Sequence, residues 1–90
     1  MQSSTSKEQD QVLPNTLGDL PVGARGVVRG LRGGQGFTSR VAALGFTVGA
    51  EVAVIQNYGR GPVIVDVRGT RVALGRGEVT KIQVEVMRET

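Results

Sequence analysis

The sequence of 90 residues contains no cysteine, histidine or tryptophan, and its only aromatic residues are two phenylalanines and one tyrosine. Without cysteine the chain forms neither disulfide bonds nor thiolate zinc sites. Without histidine, a bound metal ion would depend on carboxylate, amide or carbonyl oxygens alone. These absences remove most of the side chains that carry catalysis, so an enzyme is the weakest class of function for this chain.

Long apolar stretches are missing as well. No apolar run approaches the roughly 20 residues that a membrane-spanning helix requires. The chain begins with MQSSTSKEQDQV, which is polar and lacks the apolar segment of a signal peptide. Residues 1–13 carry almost nothing to bury, so we expect a disordered tail there, followed by a single cytoplasmic domain at 14–90.

Alternation of apolar and polar residues, which is typical of half-buried strands, dominates the rest of the sequence. In the last such segment Ile82, Val84 and Val86 alternate with Gln83 and Glu85. We therefore expect the three apolar side chains of this segment to face inward. The same pattern predicts five strands, at residues 24–31, 51–57, 62–68, 70–74 and 81–86.

The connections between these strands are short. Gly69-Thr70 predicts a two-residue type II′ turn between the third and fourth strands. NYGRGP, residues 57–62, predicts a longer hairpin loop, and residues 75–80 predict one 3₁₀ turn because they are too few for a full helix. Parallel strands need crossovers of about a dozen residues, so this chain is predicted to be mainly β, a small and strongly curved antiparallel barrel.

One short helix interrupts the strands, in GFTSRVAALGF at residues 36–46. Phe37, Val41 and Leu44 recur at helical spacing and are expected to share one buried face. Gly45 is placed as the glycine that ends a helix in a left-handed conformation. A helix of about two turns is marginal on its own, so packing against the strands must stabilise it.

Two groups of residues suggest catalysis or nucleotide binding but fit neither well. The glycine-rich segment GLRGGQGF, residues 30–37, leads into the helix, yet it lacks both the Gly-Lys-Ser/Thr ending of a phosphate loop and the dinucleotide-binding spacing. The acidic residues of the folded part fall on different turns and strand faces, so no pair converges for acid–base chemistry. They are Asp19, Glu51, Asp66, Glu78 and Glu85. We therefore expect no catalytic residue, no bound metal ion and no cofactor.

The formal charge of +3 and the scattered arginines leave a nucleic-acid-binding barrel as an alternative function. Such barrels usually stack bases on aromatic side chains, and Tyr58 is the only aromatic residue here that the helix and its end do not use. Arginines that keep the barrel in solution are the simpler interpretation, so nucleic acid is not the expected partner. A domain of this kind acts by presenting a surface.

Three segments, in order along the chain, resemble the FeoA family of ferrous iron transport protein A domains. They are LPVGARGVVRGLRGG, RVAALGFTVGAEVAVIQN and GPVIVDVRGTRVALGRGEVTKIQV, and the resemblance covers about residues 17–86. It implies an SH3-like barrel and a cytosolic accessory role in ferrous iron uptake. The implied partner is the membrane transporter FeoB, through its cytosolic GTP-binding part, which would bring the chain to the inner membrane.

The family is also similar to the carboxy-terminal domain of iron-dependent repressors, so a stand-alone relative of that domain is a further alternative. In those regulators the corresponding segment contributes metal-binding side chains. Here the helix offers Thr38, Ser39 and Arg40, and no carboxylate lies between Asp19 and Glu51. This departure argues against metal binding by the chain.

A protein partner is expected to bind outside the strands, because inward-facing strand residues are committed to a thin core. Tyrosine and arginine dominate the residues that carry binding energy at protein interfaces. Exposed edge strands also allow weak self-association. The predicted partner-binding residues are Arg32, Phe37, Arg40 and Leu44 at the helix, and Tyr58 and Arg60 in the NYGRGP loop.

Overall fold

A computed structural model of the chain describes residues 15–87, so the tail predicted at residues 1–13 lies outside the described part. The described part contains six strands, two α-helices and one 3₁₀ helix. In chain order they are β1 (Asn15–Thr16), the 3₁₀ helix (Leu17–Asp19), β2 (Arg25–Leu31), α1 (Gln35–Ala43), β3 (Glu51–Gln56), β4 (Val63–Val67), β5 (Thr70–Leu74), α2 (Arg76–Val79) and β6 (Ile82–Val86).

The strands form one antiparallel sheet in the order β1-β6-β2-β3-β4-β5. β2 lies near the middle and pairs with two strands, with β3 through its first residues and with β6 along most of its length. The register of β2 and β6 shifts between Val28 and Gly30, a bulge that bends the strand. The predicted mainly β, curved antiparallel architecture is therefore confirmed.

Valine supplies most of the core, as the period-two pattern predicts. The inward side chains of β4 are fully buried while the residues between them are half-buried. Val86, which was predicted to face inward, is instead 38% exposed, and it is the last residue of β6. The buried apolar residues are Leu17, Leu20, Val28, Val41, Phe46, Ala50, Val52, Val54, Val63, Val65, Val67, Leu74, Val79, Ile82 and Val84.

Helix α1 ends as its glycine predicts. Gly45 has a φ of +113°, and its N–H donates to the carbonyl of Ala42 while the N–H of Phe46 donates to the carbonyl of Val41, both at 3.0 Å. This is the Schellman arrangement, and it places Phe46 in the core. The prediction that Leu44 shares the buried face was wrong, because the helix ends before it and leaves its side chain 40% exposed.

The turn between β4 and β5 differs from the prediction by one residue. Val67 pairs with Thr70, so the two turn residues are Arg68 and Gly69 rather than Gly69 and Thr70. Both have positive φ, at 51° and 83°, which defines a type I′ turn and not type II′. The prediction failed because it assumed that only glycine would take a positive φ here.

Arg68 is held in this conformation by its own side chain. Its Nε donates to the carbonyl of Gly45 at 3.3 Å, and its Nη2 donates to Oγ1 of Thr47 at 3.0 Å. On the other side of the turn, the N–H of Gly69 donates to Oδ1 of Asp66 at 3.0 Å. These bonds offset the conformational cost of a non-glycine residue with positive φ, and they attach the β4–β5 turn to the end of α1.

The segment predicted as a 3₁₀ turn is the one-turn helix α2. The N–H of Val79 donates to the carbonyl of Gly75 at 3.1 Å, an α-helical bond, and Val79 is buried. The 3₁₀ helix lies instead at Leu17–Asp19, where the carboxylate of Asp19 accepts the N–H of Thr16 at 2.9 Å. Strand β1 precedes it and was not predicted, because two residues are too short to show a period.

The end of α1 generates a stability prediction. Replacing Gly45 with alanine should lower the free energy of unfolding by about 1–2 kcal/mol, because a Cβ atom disfavours positive φ. Replacing Gly36 should raise it by about 0.5–1 kcal/mol, because this glycine lies inside α1 and alanine is the better helix former. An added Cβ at Gly36 has no heavy atom within 4 Å. Urea unfolding measures both changes, and equal effects of the two substitutions would contradict the assignment of Gly45.

Candidate docking surface

The NYGRGP loop, residues 57–62, presents the most exposed large hydrophobic side chain of the described residues. Tyr58 is 79% exposed, and Arg60 is exposed beside it. The loop bends at its start because Oδ1 of Asn57 accepts the N–H of Gly59 at 3.0 Å. The structure therefore places both predicted loop residues at the surface.

The loop is attached to the rest of the barrel by Arg76, the first residue of α2. Its Nε donates to the carbonyl of Gly61 at 3.0 Å, and its Nη2 donates to Oδ1 of Asn57. The same oxygen of Asn57 thus accepts hydrogen bonds from the loop and from α2. Sequence reasoning treated Arg76 as an outward arginine, and no local pattern identifies a contact between residues 19 positions apart.

The second predicted group surrounds Phe37 on α1. The ring of Phe37 packs partly against the core and lies beside two cations, with the guanidinium carbon of Arg40 5.8 Å and the ammonium nitrogen of Lys81 5.2 Å from its centroid. Both distances allow cation–π attraction. The N–H of Arg32 donates to the carbonyl of Lys81 at 2.7 Å, which joins the two backbones, and the side chain of Arg32 is exposed. Sequence reasoning did not include Lys81.

Glu78 of α2 connects this group to the rest of the structure. Its Oε1 accepts the N–H of Gly75 at 2.8 Å, which caps α2, and its Oε2 forms an ion pair with Arg40. The hydrogen bond from the Gly75 backbone, followed by that from the Arg40 guanidinium, lowers the pKa of Glu78 below its usual 4.5. One carboxylate therefore fixes both the start of α2 and the side chain of Arg40.

Helix α2 joins the two predicted groups. Arg76 holds the loop and Glu78 holds Arg40. Residues two apart on an α-helix point about 200° from each other around its axis, so the two contacts leave α2 on opposite sides. Tyr58 and Arg60 lie on one side, and Arg32, Phe37 and Arg40 on the other. Leu44 lies exposed just beyond α1.

A separate hollow of about 220 Å³ lies on the outer face of the sheet. Its floor includes Ala53, which pairs with Arg25 on one side and Asp66 on the other. Arg25 forms an ion pair with Glu51 at 3.5 Å, and both side chains are more than half exposed. The hollow lacks the mostly apolar lining of a small-molecule site.

Residues 15–87 contain no cluster of three or more acidic, histidine or cysteine side chains able to hold a metal ion. The helices in this part of the chain are all too short and too polar to cross a bilayer.

The chain is a small SH3-like barrel in which two groups of exposed side chains adjoin one short helix. It belongs to the FeoA family, whose domain model matches residues 15–86. It is also similar to a Methanocaldococcus jannaschii protein that carries the name Fe(2+) transport protein A. The two are 37% identical over 59 residues, which cover 66% of this chain and 71% of that protein.

Solved structures agree with this assignment. The chain is similar to the crystal structure of an iron uptake regulatory protein, FeoA, with a TM-score of 0.79 and 28% identity, covering 83% of this chain and all of the other. It is also similar to the zinc complex of Stenotrophomonas maltophilia FeoA, described as an SH3 domain protein. That comparison has a TM-score of 0.71 and 30% identity and covers 79% of this chain and 89% of the other.

The expected likeness to metal-dependent repressors extends to the fold. A manganese-dependent transcriptional repressor in complex with manganese has a TM-score of 0.76 and 19% identity, covering 86% of this chain and 38% of the repressor. At this identity the comparison concerns the architecture alone.

The contacts of Arg76 generate a prediction about Tyr58. Replacing Arg76 with alanine removes both side-chain bonds to the loop, so the local motion of Tyr58 should increase. Tyr58 is the only tyrosine and the chain has no tryptophan, so intrinsic fluorescence anisotropy reports this ring alone. The anisotropy should fall in Arg76→Ala and stay unchanged in Arg71→Ala, a substitution on β5. Equal anisotropy in Arg76→Ala and the parent protein would show that Arg76 does not order the loop.

The environment of Glu78 generates a pH prediction. Because the folded-state pKa lies below 4.5, the ionised carboxylate stabilises the fold above that pH, and the stabilisation is lost as the pH falls through the lowered pKa. The parent protein should therefore be about 0.5–1.5 kcal/mol more stable than Glu78→Gln at neutral pH. In urea unfolding the two should converge as the pH falls below 4.5 and through the lowered pKa of Glu78. A difference that does not change with pH would contradict this role.

Proposed function

We propose that this chain is a non-catalytic adaptor of ferrous iron uptake that docks on the cytosolic GTP-binding part of the transporter FeoB. Membership of the FeoA family, over residues 15–86, is the observation that carries the proposal. The protein acts in the cytoplasm and reaches the inner membrane through this partner. It holds no cofactor and no metal ion of its own.

The docking residues lie in the loop and around α1, and all are exposed except Phe37, which is half-buried. Tyr58 and Arg60 are of the types that dominate binding energy at protein interfaces, because they bury a large area and make directed hydrogen bonds. The loop that carries them is held by Arg76, which lowers the entropy lost when a partner binds. The remaining docking residues are Arg32, Phe37, Arg40 and Leu44.

Nucleic-acid binding is the second candidate, and the positive charge of the chain favours it. The structure supports it less well than protein binding. Tyr58 alone offers an exposed aromatic face, whereas single-stranded nucleic acid usually stacks on several.

The proposal predicts a loss of binding when the loop side chains are removed. Tyr58→Ala combined with Arg60→Ala should weaken binding to the GTP-binding part of the transporter by about 1–3 kcal/mol, or roughly 5–150-fold, if both residues are hot spots. Folding should be nearly unaffected, because both side chains project from a loop tip. Calorimetric titration, with and without guanine nucleotide, measures the change, and Arg71→Ala serves as the control.

The remaining outcomes separate the parts of the proposal. If the loop variant binds like the parent while Arg32→Ala combined with Arg40→Ala loses binding, the interface lies at α1 alone. If neither pair matters although the parent protein binds, the placement of the docking residues is wrong. If the parent protein binds in no nucleotide state, and the full-length transporter also fails to bind it, the adaptor function is wrong.

A further inference from the structure

Positive charge is distributed unevenly over the described residues. These residues include nine cationic and five acidic side chains. Away from α2 the two signs nearly balance. Arg25 pairs with Glu51 at 3.5 Å, and Arg29 pairs with Glu85 at 2.7 Å. Asp66 lies across from Arg71 in the β4–β5 pair. Arg68 is the one cationic residue away from α2 that has not been matched with an acidic residue here.

The surroundings of α2 carry most of the excess. Five cationic residues lie there with two acidic ones. Both acidic side chains accept local backbone hydrogen bonds, Glu78 at the start of α2 and Asp19 in the 3₁₀ helix, which lies against α2. Backbone N–H groups therefore partly neutralise the negative charges of these two carboxylates. The five cationic residues are Arg32, Arg40, Arg60, Arg76 and Lys81.

Contacts tie each of these cations to α2 or to the residues that follow it. Arg76 lies on α2 itself and bonds the loop that carries Arg60. Arg40 pairs with Glu78. Lys81, two residues after the end of α2, accepts the N–H of Arg32 through its carbonyl. The excess charge therefore flanks α2, with Arg60 on the side of the loop and Arg32, Arg40 and Lys81 on the side of α1.

Apolar area is interleaved with this charge. Arg40 and Lys81 both lie within 6 Å of the ring centroid of Phe37, and Tyr58 is largely exposed two residues before Arg60. Arginine next to aromatic residues is the composition enriched in protein interfaces. A surface of this kind attracts a partner of opposite charge and then gains affinity from the aromatic area.

We infer that α2 organises a single basic docking surface, the α2 surface, and that the protein partner meets it with an acidic face. The inference rests on the proposed function and adds the chemistry of the partner. The α2 surface comprises Arg32, Phe37, Arg40, Tyr58, Arg60 and Lys81. Arg76 and Glu78 are positioning residues beneath it, since they act through the loop and through Arg40.

The first experiment needs no transporter. Poly-L-glutamate is titrated into the ¹⁵N-labelled chain at low salt, with a mixed-sequence single-stranded oligonucleotide in a parallel series. Poly-L-glutamate should shift the amide signals of residues 32–41, 57–61 and 76–81, and increasing salt should weaken its binding. Shifts spread evenly over the sheet, no shifts at all, or much tighter binding of the oligonucleotide would overturn the inference.

Charge reversal provides the matched comparison. Arg60→Glu combined with Lys81→Glu should weaken poly-L-glutamate binding by about tenfold or more, because it replaces attraction with repulsion at the α2 surface. Arg71→Glu combined with Arg29→Glu makes the same change in net charge on strands away from α2, and it should weaken binding by less than about threefold. Equal losses in the two variants would show that net charge and not the α2 surface decides binding.

The same comparison with the GTP-binding part of the transporter separates this inference from the proposed function. Loss of binding only in the Arg60→Glu and Lys81→Glu variant supports both. Binding that is insensitive to this variant overturns the acidic partner face and leaves the adaptor function standing. If the transporter does not bind although poly-L-glutamate maps to the α2 surface, the surface stands and the identity of the partner is wrong.

Discussion

The thin apolar core is the constraint on which the rest of this structure depends. Inward positions of the strands are filled mostly by valine, and the core closes over them with Leu17, Leu20 and Phe46. A domain of this size has little further volume to enclose a ligand. Any function must therefore use side chains that lie outside the core, on loops, helix ends and the outer face of the sheet.

Helix α2 meets this constraint by serving the core and the surface at once. Val79 is buried, while Arg76 and Glu78 bond the loop and α1 from opposite sides of the same turn. The NYGRGP loop and α1, which are distant in the sequence, are thus both bonded to α2, and Val79 holds α2 in the core. Because Val79 is part of the core, the relative placement of Tyr58 and Phe37 is set by folding and not by a partner.

The sequence predicted the features that depend on neighbouring residues. The alternation of apolar and polar residues predicted the strands of the barrel, and Gly45 predicted the end of α1. The β4–β5 turn was displaced by one residue because Arg68 tolerates a positive φ through bonds to Gly45 and Thr47, which lie more than 20 positions away. The contacts of Arg76 were not predicted for the same reason, because hydrogen bonds between side chains far apart in the chain produce no repeating pattern in the sequence. The predicted partner-binding residues did not include Arg76 or Glu78, whose side chains hold the loop and Arg40.

The central claim is that α2 positions the docking surface through side-chain bonds, and a double-mutant cycle tests it most directly. Arg76→Lys keeps the charge but not the planar, forked geometry of the guanidinium. Its effect on affinity for the GTP-binding part of the transporter is measured in the parent protein and in a Tyr58→Ala, Arg60→Ala background. If Arg76 acts through the loop, Arg76→Lys weakens binding in the parent and has little effect in the background variant. Equal effects in both backgrounds would contradict the account.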